Sequence, residues 1–259
     1  MKDVIATPED APGLKDAPGA PGIGPRWTSS AKSGVGTALS PLSRVWFTLS
    51  HGIVNEVYYP RVDQACLRDF GLIVTDGAGF FAEEKRDTSS EVEPFDDGVP
   101  AFDFLNTHHD GRFRIRKRVV TDAKREVLLQ KVRLEVLKGG PLRLFALVAP
   151  HLVNCGSHNS AWLGEYKGTP MLFAEGGGTA LALACSVPWA ARSAGFVGYS
   201  DGWQLLHRDG KLTEYERAND GNIALTGEVA LPASGEVVLA LGFGRTPAEA
   251  AFRTRASLF

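Results

Sequence analysis

The fold is decided by one stretch of the chain, RVWFTLSHGIVNEVYYPRVDQACLRDFGLIVTDG, which runs from Arg44 to Gly77. A turn at Gly52 divides its apolar pattern, and Pro60 cannot donate to a strand ladder, so the chain must leave regular pairing there. The hydrophobic pattern predicts strands over 45–49, 53–59 and 70–75. We therefore predict an irregular loop after the second strand, with charged side chains that reach out of the sheet.

Two tyrosines and three charged residues of this stretch are the candidate binding or interface residues. Side chains alternate across a strand, so Tyr58 and Tyr59 face opposite sides and only one can belong to the core. The other is either a domain-interface residue or a ring that stacks on a sugar. Arg61, Asp63 and Arg68 are predicted to form a salt-bridge cluster that fixes the loop, or to contact a ligand. The guanidinium groups of Arg61 and Arg68 would lower the pKa of Asp63, whereas a general acid needs a raised pKa.

The remaining chain repeats short strand patterns separated by turn signals. Asp-Gly pairs suit hairpin turns, which favour antiparallel neighbours over βαβ crossovers. These pairs begin at Asp76, Asp97, Asp110, Asp201, Asp209 and Asp220. Further strands are predicted over 112–120, 126–137, 142–149, 171–174, 179–186, 222–231 and 236–243. With 259 residues and 44% hydrophobic content, the chain can form one large all-β antiparallel sandwich.

The predicted strand 112–120 separates apolar from charged side chains by its period of two. One face carries Phe113, Ile115 and Val119, and the other carries Arg112, Arg114, Arg116 and Arg118. We predict a solvated arginine face paired with acids on neighbouring strands, and a partner or glucan surface is the alternative.

The two ends of the chain differ in character from the middle. Residues 1–25 include a stretch rich in Pro, Gly and Ala, so we expect an extended surface arm there. The sandwich is expected over 26–245. At 246–259, Thr246, Pro247 and Glu249 form a capping box that begins a helix. This helix has no stop signal before Phe259, so we expect a linker helix that continues into a further domain.

Charge and cysteine content exclude several functional classes. A formal charge of −2 and a pI near 6.3 give no electrostatic reason to bind nucleic acid or anionic lipid. Three cysteines without CxxC spacing indicate neither a disulfide framework nor a zinc site, so all three are expected to be buried. No apolar run reaches membrane-spanning length. We predict no metal site and no cofactor.

One motif suggests an esterase. GYSDG at 198–202 matches the G-x-S-x-G pattern of a nucleophile elbow, which needs a strand before Ser200 and a helix after it. The residues that follow predict another turn rather than a helix, so we interpret this segment as a hairpin tip. An esterase that uses Ser200 and His207 remains a weak alternative.

Several motifs together resemble one family. They are W-F-T-L-S-H-G, N-E-V-Y-Y-P-R-x-D and L-x-V-T-D-G within 46–77, GYSDGW at 198–203, DGNIALTGEV at 220–229 and VLALGFG at 238–244. This series resembles the N-terminal domain of bacterial glucoamylases and glucodextranases, glycoside hydrolase family 15. The likeness covers nearly the whole chain beyond Pro25.

The resemblance implies a function for the parent polypeptide. It implies an inverting, exo-acting α-glucosidase whose N-terminal sandwich precedes a barrel of paired helices with two catalytic glutamates. This chain would hold no catalytic residue and would be inactive alone; it would buttress the barrel, with the loop 58–68 facing it. The alternative is an autonomous carbohydrate-binding module for α-glucans. A secreted or periplasmic location is favoured by the resemblance only, and the linkage preference, α-1,4 or α-1,6, stays open.

Overall fold

The computed structural model describes residues 15–259 and confirms a large antiparallel β-sandwich. One sheet has eight strands, in the order β1-β2-β3-β4-β10-β16-β14, with β5 paired to β4. They are β1 (Gly34–Thr37), β2 (Trp46–Ser50), β3 (Ile53–Tyr58), β4 (Leu67–Thr75), β5 (Phe81–Glu83), β10 (Arg143–Pro150), β14 (Trp189–Phe196) and β16 (Ile223–Val229).

The other sheet has nine strands, in the order β15-β11-β12-β13-β17-β9-β8-β7-β6. They are β6 (Thr88–Asp96), β7 (Val99–His108), β8 (Phe113–Thr121), β9 (Val127–Val136), β11 (Asn159–Tyr166), β12 (Thr169–Gly176), β13 (Thr179–Cys185), β15 (Arg217–Gly221) and β17 (Glu236–Gly244). In the described part of the chain, three α-helices accompany the sheets: α1 (Glu84–Asp87), α2 (Gly202–Asp209) and α3 (Pro247–Leu258). A 3-10 turn spans Leu152–Asn154.

The main core lies between the two sheets, because every strand that contributes to it turns alternate side chains inward. Strand β8 illustrates this: Phe113 and Ile115 are fully buried, whereas Arg116 and Arg118 lie on the outer face. As predicted, these arginines pair with acids of adjacent strands. Arg118 lies 2.7 Å from Asp103 and Arg116 lies 3.0 Å from Glu135.

Each sheet also carries a smaller apolar cluster on its outer face, beneath a helix. Helix α3 covers the nine-stranded sheet through Ala250 and Ala251, which pack with Trp162 and Phe173. Helix α2 covers the eight-stranded sheet, where Leu206 packs against Ile73 and Phe145. The two helices therefore lie on opposite sides of the sandwich.

Helix α3 begins as the sequence predicts. Thr246 Oγ1 accepts a hydrogen bond from the Glu249 backbone N–H at 3.2 Å, and Pro247 occupies the first turn. The Glu249 carboxylate reaches back to the Arg245 backbone N–H at 2.7 Å. The first contact satisfies a backbone donor that a helix start leaves without an intrahelical partner, and the second ties the first turn to the residue before the N-cap.

Helix α2 is absent from the predictions, and the predicted hairpin tip at 198–202 is wrong. The segment is a strand, a turn and a helix, since β14 precedes it and α2 follows. Asp201 and Asp209-Gly210, predicted as hairpin turns, delimit the helix instead: Asp201 accepts from Gln204 N at 3.1 Å, and Gly210 ends it with φ 65°. Asp and Gly favour helix caps as much as turns, so the sequence signal is ambiguous.

The cysteines and the N-terminal arm follow the sequence predictions only in part. Cys66 and Cys185 are buried as predicted, but Cys155 is exposed. Part of the predicted arm, residues 15–25, contacts the sandwich: Asp16 pairs with Arg217 at 2.6 Å, and Ala17 is buried. The remainder, residues 1–14, lies outside the described residues, and the domain boundaries stay predictions.

Candidate functional site

The loop between β3 and β4 is a rigid projection rather than a loose connection. A bridge between Tyr58 and Ala65 closes its base, and Tyr59 N–H donates to the Gln64 carbonyl at 3.1 Å. The Asn154 side chain clamps it from outside. Its Oδ1 accepts from Ala65 N and its Nδ2 donates to the Asp63 carbonyl, each at 2.8 Å. The tip of the loop is therefore held in one conformation.

The two candidate tyrosines face opposite sides, as the strand period requires. Tyr59 is 2% exposed and stacks on Phe243, with 5.7 Å between ring centroids. Tyr58 is half-buried, and its hydroxyl donates to Glu56 Oε2 at 2.8 Å. Burial, with this hydrogen bond, raises the pKa of Tyr58 to about 12, so the phenol stays protonated at neutral pH.

The three charged candidates do not form one cluster. Arg61 and Asp63 make a bidentate pair at the loop tip, with contacts of 2.9 and 2.8 Å, and both are exposed. Arg68 instead pairs with Asp69 at 2.9 Å, on the outer side of the eight-stranded sheet. The hydrogen bond from Arg61 lowers the pKa of Asp63, in the predicted direction. Asp63 is therefore ionised and is unsuited to donate a proton.

An ionic cluster around the buried Glu126 ties this loop to helix α3. The Arg253 guanidinium lies 3.0 Å from Glu126 and 2.6 Å from Glu249, and it donates to the Tyr59 hydroxyl at 3.2 Å. Arg44 reaches the same Glu126 at 3.1 Å. Glu126 is only 5% exposed, so two guanidinium groups compensate its buried charge. We call these five residues the anchor cluster, because they fix α3 against the sandwich.

Exposed apolar side chains lie on the elements that meet at the anchor cluster. Trp46 pairs with both Thr37 and Tyr58, so the loops after β1 and β3 leave the sheet at the same end. Large apolar side chains on these loops and on α3 are more than half exposed: Leu39 67%, Leu42 64%, Val62 63% and Phe252 56%. We call these four residues the apolar rim. We interpret these four side chains as a candidate interaction surface, because they lie on elements that the anchor cluster joins.

Contrary to the sequence interpretation, Ser200 lies in the strand–turn–helix context that a nucleophile elbow needs. Its hydroxyl, however, is not available as a nucleophile. Ser200 is 1% exposed. Its hydroxyl donates to the Pro18 carbonyl at 2.7 Å and accepts from Phe196 N at 2.9 Å. His207 stacks on Trp203, with 4.8 Å between centroids. Ser200 therefore stabilises a turn.

Two tryptophan rings, which could in principle stack on a sugar, are occupied by contacts within the protein. Trp162 is fully buried and stacks on Phe173. Trp203 contacts His207, the edge of Phe81 and the Arg86 guanidinium.

Residues 15–259 contain neither a metal-binding cluster nor a membrane-spanning helix. Within this part of the chain, no group of three or more His, Cys, Asp or Glu side chains is arranged to hold a metal ion. None of its helices has the length and apolar character needed to cross a bilayer.

Sequence reasoning missed most of the anchor cluster. Glu126 and Arg253 lie far from Tyr59 in the chain, Glu126 just before β9 and Arg253 in the middle of α3. One signal was available, since Glu249 and Arg253 are spaced i, i+4 on a predicted helix. That spacing predicts an ion pair within the helix, but it does not identify Glu126 as the buried partner of Arg253.

Comparisons with known proteins agree with this architecture. The family model described as glucodextranase, domain N, matches residues 17–259. A glucoamylase of Clostridium sp. (strain G0005) is 35% identical over 232 residues, which cover 89% of this chain and 33% of that protein. A crystal structure of a bacterial glucoamylase complexed with acarbose matches with a TM-score of 0.91 and 35% identity, over 94% of this chain and 36% of that one.

This chain spans about a third of the length of both relatives. The family match covers both sheets, the anchor cluster and α3. The chain belongs to the glucodextranase domain N family.

Proposed function

We propose that this chain is the non-catalytic N-terminal domain of a glucoamylase-like glycoside hydrolase, and that it buttresses the catalytic domain of the same polypeptide. The parent enzyme would remove glucose from the non-reducing ends of α-glucans with inversion. The family match and the relatives, both glucoamylases, support this proposal.

The observation that carries the proposal is the anchor cluster beneath the apolar rim. Arg253 holds helix α3 to the sandwich through Tyr59, Glu126 and the Phe243 carbonyl, and it also pairs with Glu249 of the same helix. A helix fixed in this way transmits a defined orientation to whatever it joins. The apolar rim around it supplies a surface for a domain to bury. The proposed occupant is the catalytic domain, with the Arg61–Asp63 pair at the edge of the contact.

The carboxylates of the candidate site support a non-catalytic role. Inverting hydrolysis requires one protonated carboxylic acid and one carboxylate across the sugar. Asp63, Glu126 and Glu249 are each paired with a guanidinium group, and the hydrogen bond from Arg61 lowers the pKa of Asp63. The buried Asp201 has a raised pKa because of desolvation, but its oxygens accept from Gln204 and Gly198 N–H and cap α2.

Two measurements test the proposal. The purified 259-residue chain is expected to release no glucose from maltodextrin, and release by the chain alone would overturn the non-catalytic assignment. In the parent enzyme, Leu42→Asp combined with Val62→Asp is expected to weaken docking. Calorimetry should then resolve two unfolding transitions where the unmodified enzyme gives one.

The matched control is Val136→Asp. Val136 is 45% exposed and lies at the opposite end of β9 from Glu126, away from the apolar rim. This variant should keep the single transition. Replacing Arg61 and Asp63 together by alanine should lower glucose release by the parent. Equal activity would remove the loop tip from the proposed contact.

A further inference from the structure

A cleft of about 420 Å³ opens on the outer face of the eight-stranded sheet. We propose that it binds a neutral hexose unit, such as one residue of a glucan chain. The sequence left a carbohydrate-binding role open without a location, and this cleft supplies one. The inference is separate from the buttress role, since it concerns the other side of the sandwich.

The floor of the cleft is apolar and formed by small side chains. Gly71 of β4, Ala149 of β10 and Ala224 of β16 line the cleft from three adjacent strands, with Gly71 opposite Leu147 in the register. Ile53 and Leu147 border it. An apolar floor with a few polar groups is the usual composition of a small-molecule site, and the volume falls within the range of such sites. The C–H face of a pyranose ring fits this type of surface.

The border of the cleft supplies both hydrogen-bond donors and hydrogen-bond acceptors. Asp69 is held between Arg68 at 2.9 Å and Lys85 at 3.1 Å. Glu83 accepts from Trp203 Nε1 at 2.9 Å and pairs with Arg86 at 3.1 Å. These contacts fix the side chains before a ligand arrives, so little conformational entropy is lost on binding.

The charge balance of the rim favours a neutral ligand over an ion. Four basic residues and three acidic residues line the cleft. An anion would lie beside carboxylates, and a cation beside guanidinium and ammonium groups. A sugar hydroxyl both donates and accepts, so it can bind to paired carboxylate and guanidinium groups at once. The basic residues are Arg26, Arg68, Lys85 and Arg86, and the acidic ones are Asp69, Glu83 and Asp201.

Arg26 is the rim residue best placed to contact a ligand. It is exposed, and within residues 15–259 its side chain has no ion-pair partner. The other three cations at the rim are already paired. A guanidinium free of a carboxylate keeps all its donors for an incoming hydroxyl.

The position of the cleft leaves it separate from the apolar rim. Helix α3 packs on the outer face of the nine-stranded sheet, whereas Gly71, Ala149 and Ala224 face outward from the eight-stranded one. A domain joined through α3 and a sugar in the cleft would occupy different sides of the molecule. Loss of docking and loss of sugar binding are therefore distinguishable.

Titration of the isotope-labelled 259-residue chain with glucose and with maltotriose, followed by NMR, tests the proposal. The backbone amide resonances of Gly71 and Ala224 should shift on addition of sugar. Arg26→Ala should weaken binding about tenfold, the loss expected for one hydrogen bond to a charged group. Ala149→Phe should fill the floor and abolish the shifts.

Arg245→Ala is the matched control, because Arg245 is an exposed arginine next to α3. It should leave sugar binding unchanged. Inorganic phosphate serves as a charged probe and should leave the Gly71 and Ala224 resonances in place. If neither sugar moves these resonances, if Ala149→Phe binds as the unmodified chain does, or if phosphate binds and sugars do not, the proposal is overturned.

Discussion

The Nζ atom of Lys117 lies 2.8 Å from Oε1 of Glu84, and both side chains are completely buried. Lys117 also donates to the Gly52 carbonyl at 2.9 Å, and Glu84 Oε2 accepts from Leu72 N at 3.1 Å. Lys117 belongs to the nine-stranded sheet, whereas Leu72 belongs to the eight-stranded one. The ion pair therefore links the two layers through the core.

Removing one partner of this pair should be strongly destabilising. Lys117→Met leaves the Glu84 carboxylate buried without its cation, and we expect a loss of roughly 3–5 kcal/mol in the free energy of unfolding. Urea denaturation measures it. Arg118→Met is the control, because Arg118 forms an exposed pair with Asp103 and should cost below about 1 kcal/mol.

A second substitution should relieve much of that loss. Glu84→Gln in the Lys117→Met background removes the buried charge while keeping an oxygen for Leu72 N. The double variant should be more stable than Lys117→Met alone. If Lys117→Met costs no more than Arg118→Met, the pair does not hold the sheets together.

His151 should make stability depend on pH below neutrality. Its ring is 1% exposed, packs edge-on to Trp27 and has no hydrogen-bond partner for either nitrogen within the described part of the chain. Burial, together with the nearby Arg68, lowers its pKa from 6.5 to about 4. Asp69 acts in the opposite direction and is outweighed.

The sign follows from proton binding. Between pH 6.5 and 4 the unfolded chain binds a proton at His151 that the folded chain does not, so stability falls as the pH falls through this window. The full contribution is about 3 kcal/mol. His151→Phe keeps an aromatic ring at this position and removes the titrating group. The difference in unfolding free energy between this variant and the unmodified chain should therefore grow as the pH drops. His109→Phe, on an exposed turn, should show no such growth.

Arg253 should be the residue that fixes α3. Arg253→Met removes the contacts to Glu126 and Glu249, and we expect a loss of about 3 kcal/mol on urea denaturation, because Glu126 stays buried with Arg44 alone. Tyr59→Phe removes one hydrogen bond and should cost about 1 kcal/mol. Arg255→Met on the same helix serves as the control, because it breaks one hydrogen bond, to Thr169, and a contact with the Phe259 ring, but no ion pair with a buried carboxylate. Equal losses for the two arginine variants would contradict the special role of Arg253.

Ser200 should support structure and not ester hydrolysis. A chromogenic ester should be hydrolysed only at background rate by the unmodified chain and by Ser200→Ala alike. The variant should nevertheless lose roughly 1–3 kcal/mol, because Phe196 N and the Pro18 carbonyl lose their partner. Ser234→Ala, on an exposed turn, provides the comparison. Ester hydrolysis that disappears in Ser200→Ala would revive the esterase alternative.

The sandwich was predictable because it depends on local alternation. The strands around Gly52 and Pro60 lie within a few residues of their predicted bounds, and the opposite facing of Tyr58 and Tyr59 follows from the same period. The site was less predictable, because its contacts join distant parts of the chain. Arg68 was grouped with Arg61 by proximity in sequence, yet its partner is Asp69.

The burial of Lys117 was predictable from the sequence, although its partner was not. It stands at an inward position of β8, between Ile115 and Val119, so the pattern alone places a charge in the core. A buried lysine requires a buried anion, but nothing in the sequence distinguishes Glu84 from the other acids. Helix α2 was missed for a different reason, since its eight residues are too few for a helical period to stand out.

Strand β6 ends the nine-stranded sheet, and among residues 15–259 it pairs only with β7, which leaves the other side of its backbone without a strand partner there. An unpaired strand of this length would ordinarily invite a second molecule to extend the sheet, the first step towards fibrils. Glu91 and Glu93 put negative charge along that border, and Pro94 removes a backbone donor from it. These residues oppose the addition of a second molecule's strand to the β6 edge. Concentrated solutions of this protein should therefore resist ordered aggregation through that strand.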